Sequence, residues 1–196
     1  WRGDISFSNE ADWQTWFNNY TVFINHYADL AETNNVEAFV VGTEYKSTTS
    51  RETEWRNIIN IARSKYSGLV TYAANWDNYQ NVNFWDDLDY IGVDAYFPLT
   101  GSCNPTVADL EAAWITYKNT LEAFSTTWNK DIVFTEIGYQ SYDCTNTQPN
   151  WAPTSTSDEQ EQADSYEAVF RTFFDEPWFK GMNWWMWYWD PSQDIN

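Results

Sequence analysis

One histidine, two cysteines and two methionines are spread over 196 residues, and acidic side chains outnumber basic ones 29 to 10, for a formal charge of −19. Each scarcity removes a class of function. His26 stands alone inside a predicted helix, with no HExxH pattern and no Cys/His cluster, so a metal centre is not expected. Serine or cysteine hydrolase chemistry would lack a spare histidine base. Nucleic acid and anionic membranes need clustered Lys and Arg, which this chain does not have. No apolar run reaches the roughly 18 to 20 residues of a transmembrane helix. No GxGxxG or phosphate-binding loop follows any predicted strand, and no cofactor is expected. Asp86, Asp87 and Asp89 read as capping and solvated charge beside a strand start. The opening Trp1-Arg2-Gly3-Asp4 carries neither an initiator Met nor a signal-like apolar stretch, and reads as the middle of a longer chain.

What is abundant is aromatic. The chain has 14 Trp, 13 Tyr and 12 Phe, more than a core of this size needs. Trp and Tyr suit sites where a flat, partly polar ligand such as a sugar ring is stacked. Two cysteines permit one disulfide, and their polar, loop-like surroundings suit an oxidising compartment.

The periodicity gives alternating elements. A helix is predicted over 9–33, capped by Ser8 or Asn9, with Trp13, Trp16, Phe17, Tyr20, Phe23, Ile24 and Tyr27 at helical spacing. Strands are predicted at 36–42, 69–74, 90–96, 131–135 and 182–187. A helix opening on a Thr49–Glu52 capping box separates the first two, and a short helical piece at 81–87 precedes the third. A helix from Pro105 and Thr106 leads to the fourth. A polar loop over 141–157 and a helix over 158–174, with Val169, Phe170 and Phe173 inward, lead to the fifth. Strands alternating with helices predict a parallel α/β sheet, doubly wound or barrel-like.

In a parallel barrel the functional groups sit where strands end. The strand ends here read Gly42-Thr43-Glu44, Asn75-Trp76-Asp77, Asp94-Ala95-Tyr96, Thr135-Glu136-Ile137 and Trp185-Met186-Trp187. Two of them carry glutamate after threonine. A pair of carboxylates, one neutral and one ionised, is the minimum equipment for breaking a glycosidic bond.

The blocks Val41–Glu44, Thr71–Trp76, Phe84–Leu99, Phe134–Tyr139 and Trp184–Trp187 together resemble glycoside hydrolase family 113, with 84–99 the most specific. That resemblance implies a (β/α)8 TIM barrel in a clan of retaining glycosidases, with endo-β-1,4-mannanase activity. Residues 1–196 would then be the C-terminal part of a single catalytic domain, holding strands four to eight, with strands one to three missing and supplied by an N-terminal segment. It implies Glu44 as acid/base, Glu136 as nucleophile and Tyr96 as the hydroxyl steadying Glu136. Asn75, Trp76, Asp94, Trp185 and Trp187 would contact substrate. Thr43 precedes the acid/base where the wider clan has asparagine. Cys103 and Cys144 would fall in neighbouring loops at the cleft rim, where a disulfide would brace it. The expected partner is a β-linked polysaccharide or oligosaccharide, and the expected location is extracellular. The competing reading is a non-catalytic sugar-binding or structural module on the same scaffold.

Overall fold

The computed structural model describes residues 1–151 and 153–186. The order is α1 (Glu10–Thr33), β1 (Ala38–Thr43), α2 (Glu52–Lys65), β2 (Leu69–Asn75), β3 (Ile91–Asp94), α3 (Val107–Trp128), β4 (Ile132–Ile137), α4 (Glu159–Phe173) and β5 (Phe179–Trp184). The strands form a five-stranded sheet in the order β1-β2-β3-β4-β5. The β1–β2 and β4–β5 ladders are parallel, as strands separated by helices require. Among the described residues no helix is long and apolar enough to cross a membrane.

The chain divides into two compact units, Trp1–Val93 and a second beginning at Asp94. In the first, Asn9 caps α1 by accepting the Asp12 N–H. Trp13, Phe17, Ile24, Ala28 and Ala31 then form its buried stripe, spaced three, four or seven apart. Trp55, fully buried on α2, centres the core against the rings of Phe17, Tyr20, Tyr45, Tyr72 and Phe84. Its indole N–H donates to the Thr48 carbonyl at 3.0 Å. Gly42 on β1 is required by this packing, because a Cβ there would sit 2.7 Å from the Trp55 ring. Val70 to Ala74 of β2 are all buried, as in strands covered on both faces.

In the second unit the core centres on Trp114 of α3, with Phe97, Phe134 and Phe173 around it. Thr106 and Asp109 form a reciprocal capping box at the start of α3. Asp158 caps α4 through the Glu161 N–H.

Five local expectations need correction. Thr49 does not open α2: it lies in a 3-10 turn, its hydroxyl spent on the Lys46 carbonyl, and Arg51 is the N-cap without a side-chain bond. The 81–87 piece is two separate 3-10 turns, Tyr79–Asn81 and Trp85–Asp87. Phe170 points outward at 44% exposure, as do Phe23 and Tyr27 on α1, because the buried stripe of each helix is narrower than its apolar content. Asp86, Asp87 and Asp89 are not loose charges: Arg56 bridges Asp86 and Asp87, and Arg63 holds Asp89. The described part of the last strand runs Phe179–Trp184, ahead of the predicted 182–187.

Candidate active site

Glu44 follows directly on β1 and sits in the left-handed region, at φ 53°. A non-glycine residue held there costs free energy that the surroundings must offset, and such residues gather at functional sites. Its backbone N–H is fixed by the Ala73 carbonyl at 2.8 Å. The carboxylate is largely shielded, its side chain 11% exposed, and three donors converge on it. The Asn75 amide, at the end of β2, donates to Oε1 at 3.0 Å. Arg2 Nη2 and the Trp1 indole N–H both donate to Oε2, at 3.1 and 3.3 Å. Lys46 and Asp77, in the loops after β1 and β2, pair at 2.6 Å. Trp76 stands half-buried between Asn75 and Asp77.

The second unit assembles around Glu136. The Glu136 carbonyl accepts the Ala95 N–H at 2.6 Å, tying the end of β3 to β4. From the residue after Ala95, the Tyr96 hydroxyl donates to Glu136 Oε2 at 3.0 Å. Asp94, fully buried, accepts the Thr135 hydroxyl at 2.7 Å. Asp94 therefore acts within the strand layer, two residues before Tyr96. Gly138 leaves room for the chain beyond β5: a Cβ there would meet the Trp185 carbonyl oxygen at 2.1 Å. Trp185 itself is 55% exposed. Trp187 lies outside the described residues.

The loops following β3 and β4 are joined twice. A disulfide links Cys103 to Cys144. Beside it, Asn146 is fully buried and saturated. Its Oδ1 accepts the Thr100 N–H and hydroxyl, and its Nδ2 donates to the Ser102 carbonyl and to Glu161. Glu161, buried in the first turn of α4, also accepts the Cys144 and Asn146 backbone N–H groups. A buried carboxylate needs such partners, and this one has three N–H donors.

Known proteins decide what this arrangement belongs to. The profile of Glycoside Hydrolase Family 113 matches residues 1–194. The chain belongs to that family. Among solved structures, the family 113 β-mannanase of Alicyclobacillus acidocaldarius, in complex with ManMIm, is 33% identical with a TM-score of 0.84, over 95% of this chain and 58% of its own. A complex of a family 113 β-1,4-mannanase is 32% identical with a TM-score of 0.82, over 95% of this chain and 59% of its own. This family 113 chain thus spans about three-fifths of the length of the solved mannanases it matches. A β-glucuronidase of Ruminococcus gnavus, at 15% identity and a TM-score of 0.68, shares the fold alone. No curated protein sequence matches the chain.

Within each unit the structure brings the expected residues together: Glu44 with Asn75, and Glu136 with Tyr96 and the Asp94–Thr135 pair. Sequence reasoning missed Arg2 and Trp1 as partners of Glu44, and Asn146 with Glu161 as the second tie between loops. The first pair had a signal, since the odd opening motif falls inside the family match. The second had none, because a buried Glu at the start of a helix reads like any solvated first-turn acid.

Proposed function

We propose that this chain is part of a secreted, retaining endo-β-1,4-mannanase. Glu136 is the nucleophile: its carboxylate attacks the anomeric carbon while Glu44 gives a proton to the departing glycosidic oxygen. Glu44, now ionised, then takes a proton from water, whose oxygen displaces Glu136 and releases the sugar. The Tyr96 hydroxyl orients the attacking carboxylate, since a hydrogen bond to the ionised form favours that form. Asn75, Trp76, Trp185 and Trp187 contribute substrate contacts, whereas Asp94, buried against Thr135, supports the strand ends that carry Tyr96 and Glu136 instead of touching sugar. The observation that carries this reading is the Tyr96–Glu136 hydrogen bond in a chain of family 113.

The domain is a (β/α)8 barrel in which these strands are numbers four to eight, and preceding strands complete it. Support comes from apolar side chains left open on α1 and β1: Phe23, Tyr27, Leu30 and Val40 are each between 39% and 51% exposed. The disulfide supports an oxidising, extracellular location.

The test is hydrolysis of β-mannan, β-glucan and β-galactan by the chain and by Glu136→Gln. Reducing ends should appear from mannan, with the β-anomer formed first by NMR, and Glu136→Gln should fall to background with its circular dichroism unchanged. First formation of the α-anomer excludes the double displacement. Undiminished sugar binding with no turnover in the parent chain would favour a non-catalytic module.

A further inference from the structure

The hydrogen bonds on Glu44 pose a chemical conflict with its proposed role, and resolving it assigns work to the opening residues of the chain. An ionised carboxylate only accepts hydrogen bonds, and the three N–H donors on Glu44 suit that form. In the first half of the reaction, however, one of its oxygens must carry a proton aimed at the glycosidic oxygen. A protonated carboxyl oxygen keeps room for one N–H but not two, so a proton on Oε2, which Arg2 and Trp1 both occupy, requires a donor there to withdraw.

The two sides differ in anchorage. Asn75 is the last residue of β2, inside the sheet. Arg2 and Trp1 come from the short 3-10 turn at Arg2–Asp4 and its N-cap, outside the sheet, and reach Glu44 through their side chains alone. Oε2 is thus the oxygen whose donors can turn away to an arriving substrate. Trp1 is also specifically seated. It lies so close over Gly3 that a Cβ there would fall 1.9 Å from its ring, so residue 3 must be glycine for the indole to keep its place.

We infer that Arg2, with Trp1 beside it, is a positioning residue that exchanges Glu44 Oε2 for the sugar on the leaving side of the scissile bond. This rests on the hydrolase reading above. When the glycosidic oxygen approaches Oε2, the guanidinium turns its N–H fork to that sugar's hydroxyls, and the exposed Trp1 face lies under its ring. The proton passes from Oε2 to the glycosidic oxygen as the C1–O bond breaks, the bonding pair staying with that oxygen, and as the nucleophilic carboxylate bonds to C1. Glu44 is left ionised with Oε2 free of Arg2, so it takes the proton of the water whose oxygen then displaces the nucleophile from C1, and it ends the cycle protonated as it began.

The test separates substrates by their leaving group. Mannotetraose leaves through a sugar that needs a proton; a nitrophenyl β-mannobioside leaves through a phenolate that needs neither a proton nor a sugar contact. Arg2→Met should lower the ratio of kcat/KM for mannotetraose over the aryl substrate by about 10-fold or more, the size of one lost charge-assisted hydrogen bond. Arg2→Lys, keeping the charge but not the fork, should restore part of it. In the Glu44→Gln background, where hydrolysis is blocked, adding Arg2→Met should weaken mannotetraose binding about 10-fold by tryptophan fluorescence. An equal loss on both substrates, or an unchanged affinity in that background, overturns the assignment. Turnover with a flat ratio removes the role of Arg2 alone. No turnover and no binding by the parent chain removes the hydrolase reading, and this one with it.

Discussion

The two units fix their glutamates by different means. In the first, Glu44 is held by side chains: an amide from β2 and two donors from a solvent-facing turn, with its own backbone in the left-handed region. In the second, the backbone of Glu136 is tied into the sheet and its carboxylate receives the Tyr96 hydroxyl, while the loops beyond are locked by a disulfide and a buried amide–carboxylate hub. A proton shuttle changes charge twice in each cycle and needs partners that can come and go. A nucleophile needs a fixed line of attack. The different anchorage fits the roles proposed for Glu44 and Glu136, and it predicts that the second unit depends on cross-links that the first does not have.

Removing the covalent tie should have the largest effect. Cys103 and Cys144 are 41 residues apart, and closing a loop of that length removes about 4 kcal/mol of unfolded-state freedom in the chain-entropy picture. Cys103→Ser with Cys144→Ser should lower stability by up to about that amount. Hydrogen exchange should speed up around 99–106 and 140–158 and leave the first unit unaltered. Exchange that accelerates equally around Trp55 would erase the contrast between the units.

The buried hub comes next. Glu161→Ala strips the acceptor from the Cys144 N–H, the Asn146 N–H and the Asn146 side-chain amide, all in a buried site. Leaving such donors unpaired costs about 3 kcal/mol in all once water enters to satisfy part of them. Glu161→Gln keeps one acceptor oxygen and should cost less than half as much by urea unfolding. Equal losses for the two variants would mean that the side chain serves only as packing.

Much of this architecture was legible beforehand because it rests on short-range pattern. Unbroken apolar runs such as Val70–Ala74 announce buried strands, and Asn9 announces a helix start. Glu44 and Glu136 stood out because a charge that directly ends an apolar strand must face a polar site. The outward Phe170 was misread, since helical spacing fixes a face but not how wide a face the neighbours cover. The Glu161 hub and the Arg2–Glu44 pair join residues 15 to 42 positions apart through single side-chain bonds. No local periodicity encodes such contacts; only the fold brings them together.

Two buried tyrosines test the comparison on a finer scale. Burial pushes the hydroxyl of Tyr20 in the first unit, and that of Tyr139 in the second, well above the ordinary value of 10.0. Above pH 10 the unfolded chain loses these protons while the folded chain keeps them, so the folded state binds more protons and stability falls as pH rises. Below pH 10 both states are protonated and neither residue contributes. The slope is about 1.4 kcal/mol per pH unit for each tyrosine until its folded value is reached. The two differ at neutral pH. Tyr20 donates to the Val41 carbonyl at 2.7 Å, so Tyr20→Phe should cost about 1 kcal/mol. The Trp114 indole N–H faces Tyr139 and opposes the rise without closing a hydrogen bond of normal geometry, so Tyr139→Phe should be close to neutral. Both variants should flatten the alkaline limb in urea titrations between pH 8 and 11. If Tyr139→Phe costs as much as Tyr20→Phe at pH 7, then the second unit relies on that hydroxyl too, and its stiffness comes from more than the disulfide and the Glu161 hub.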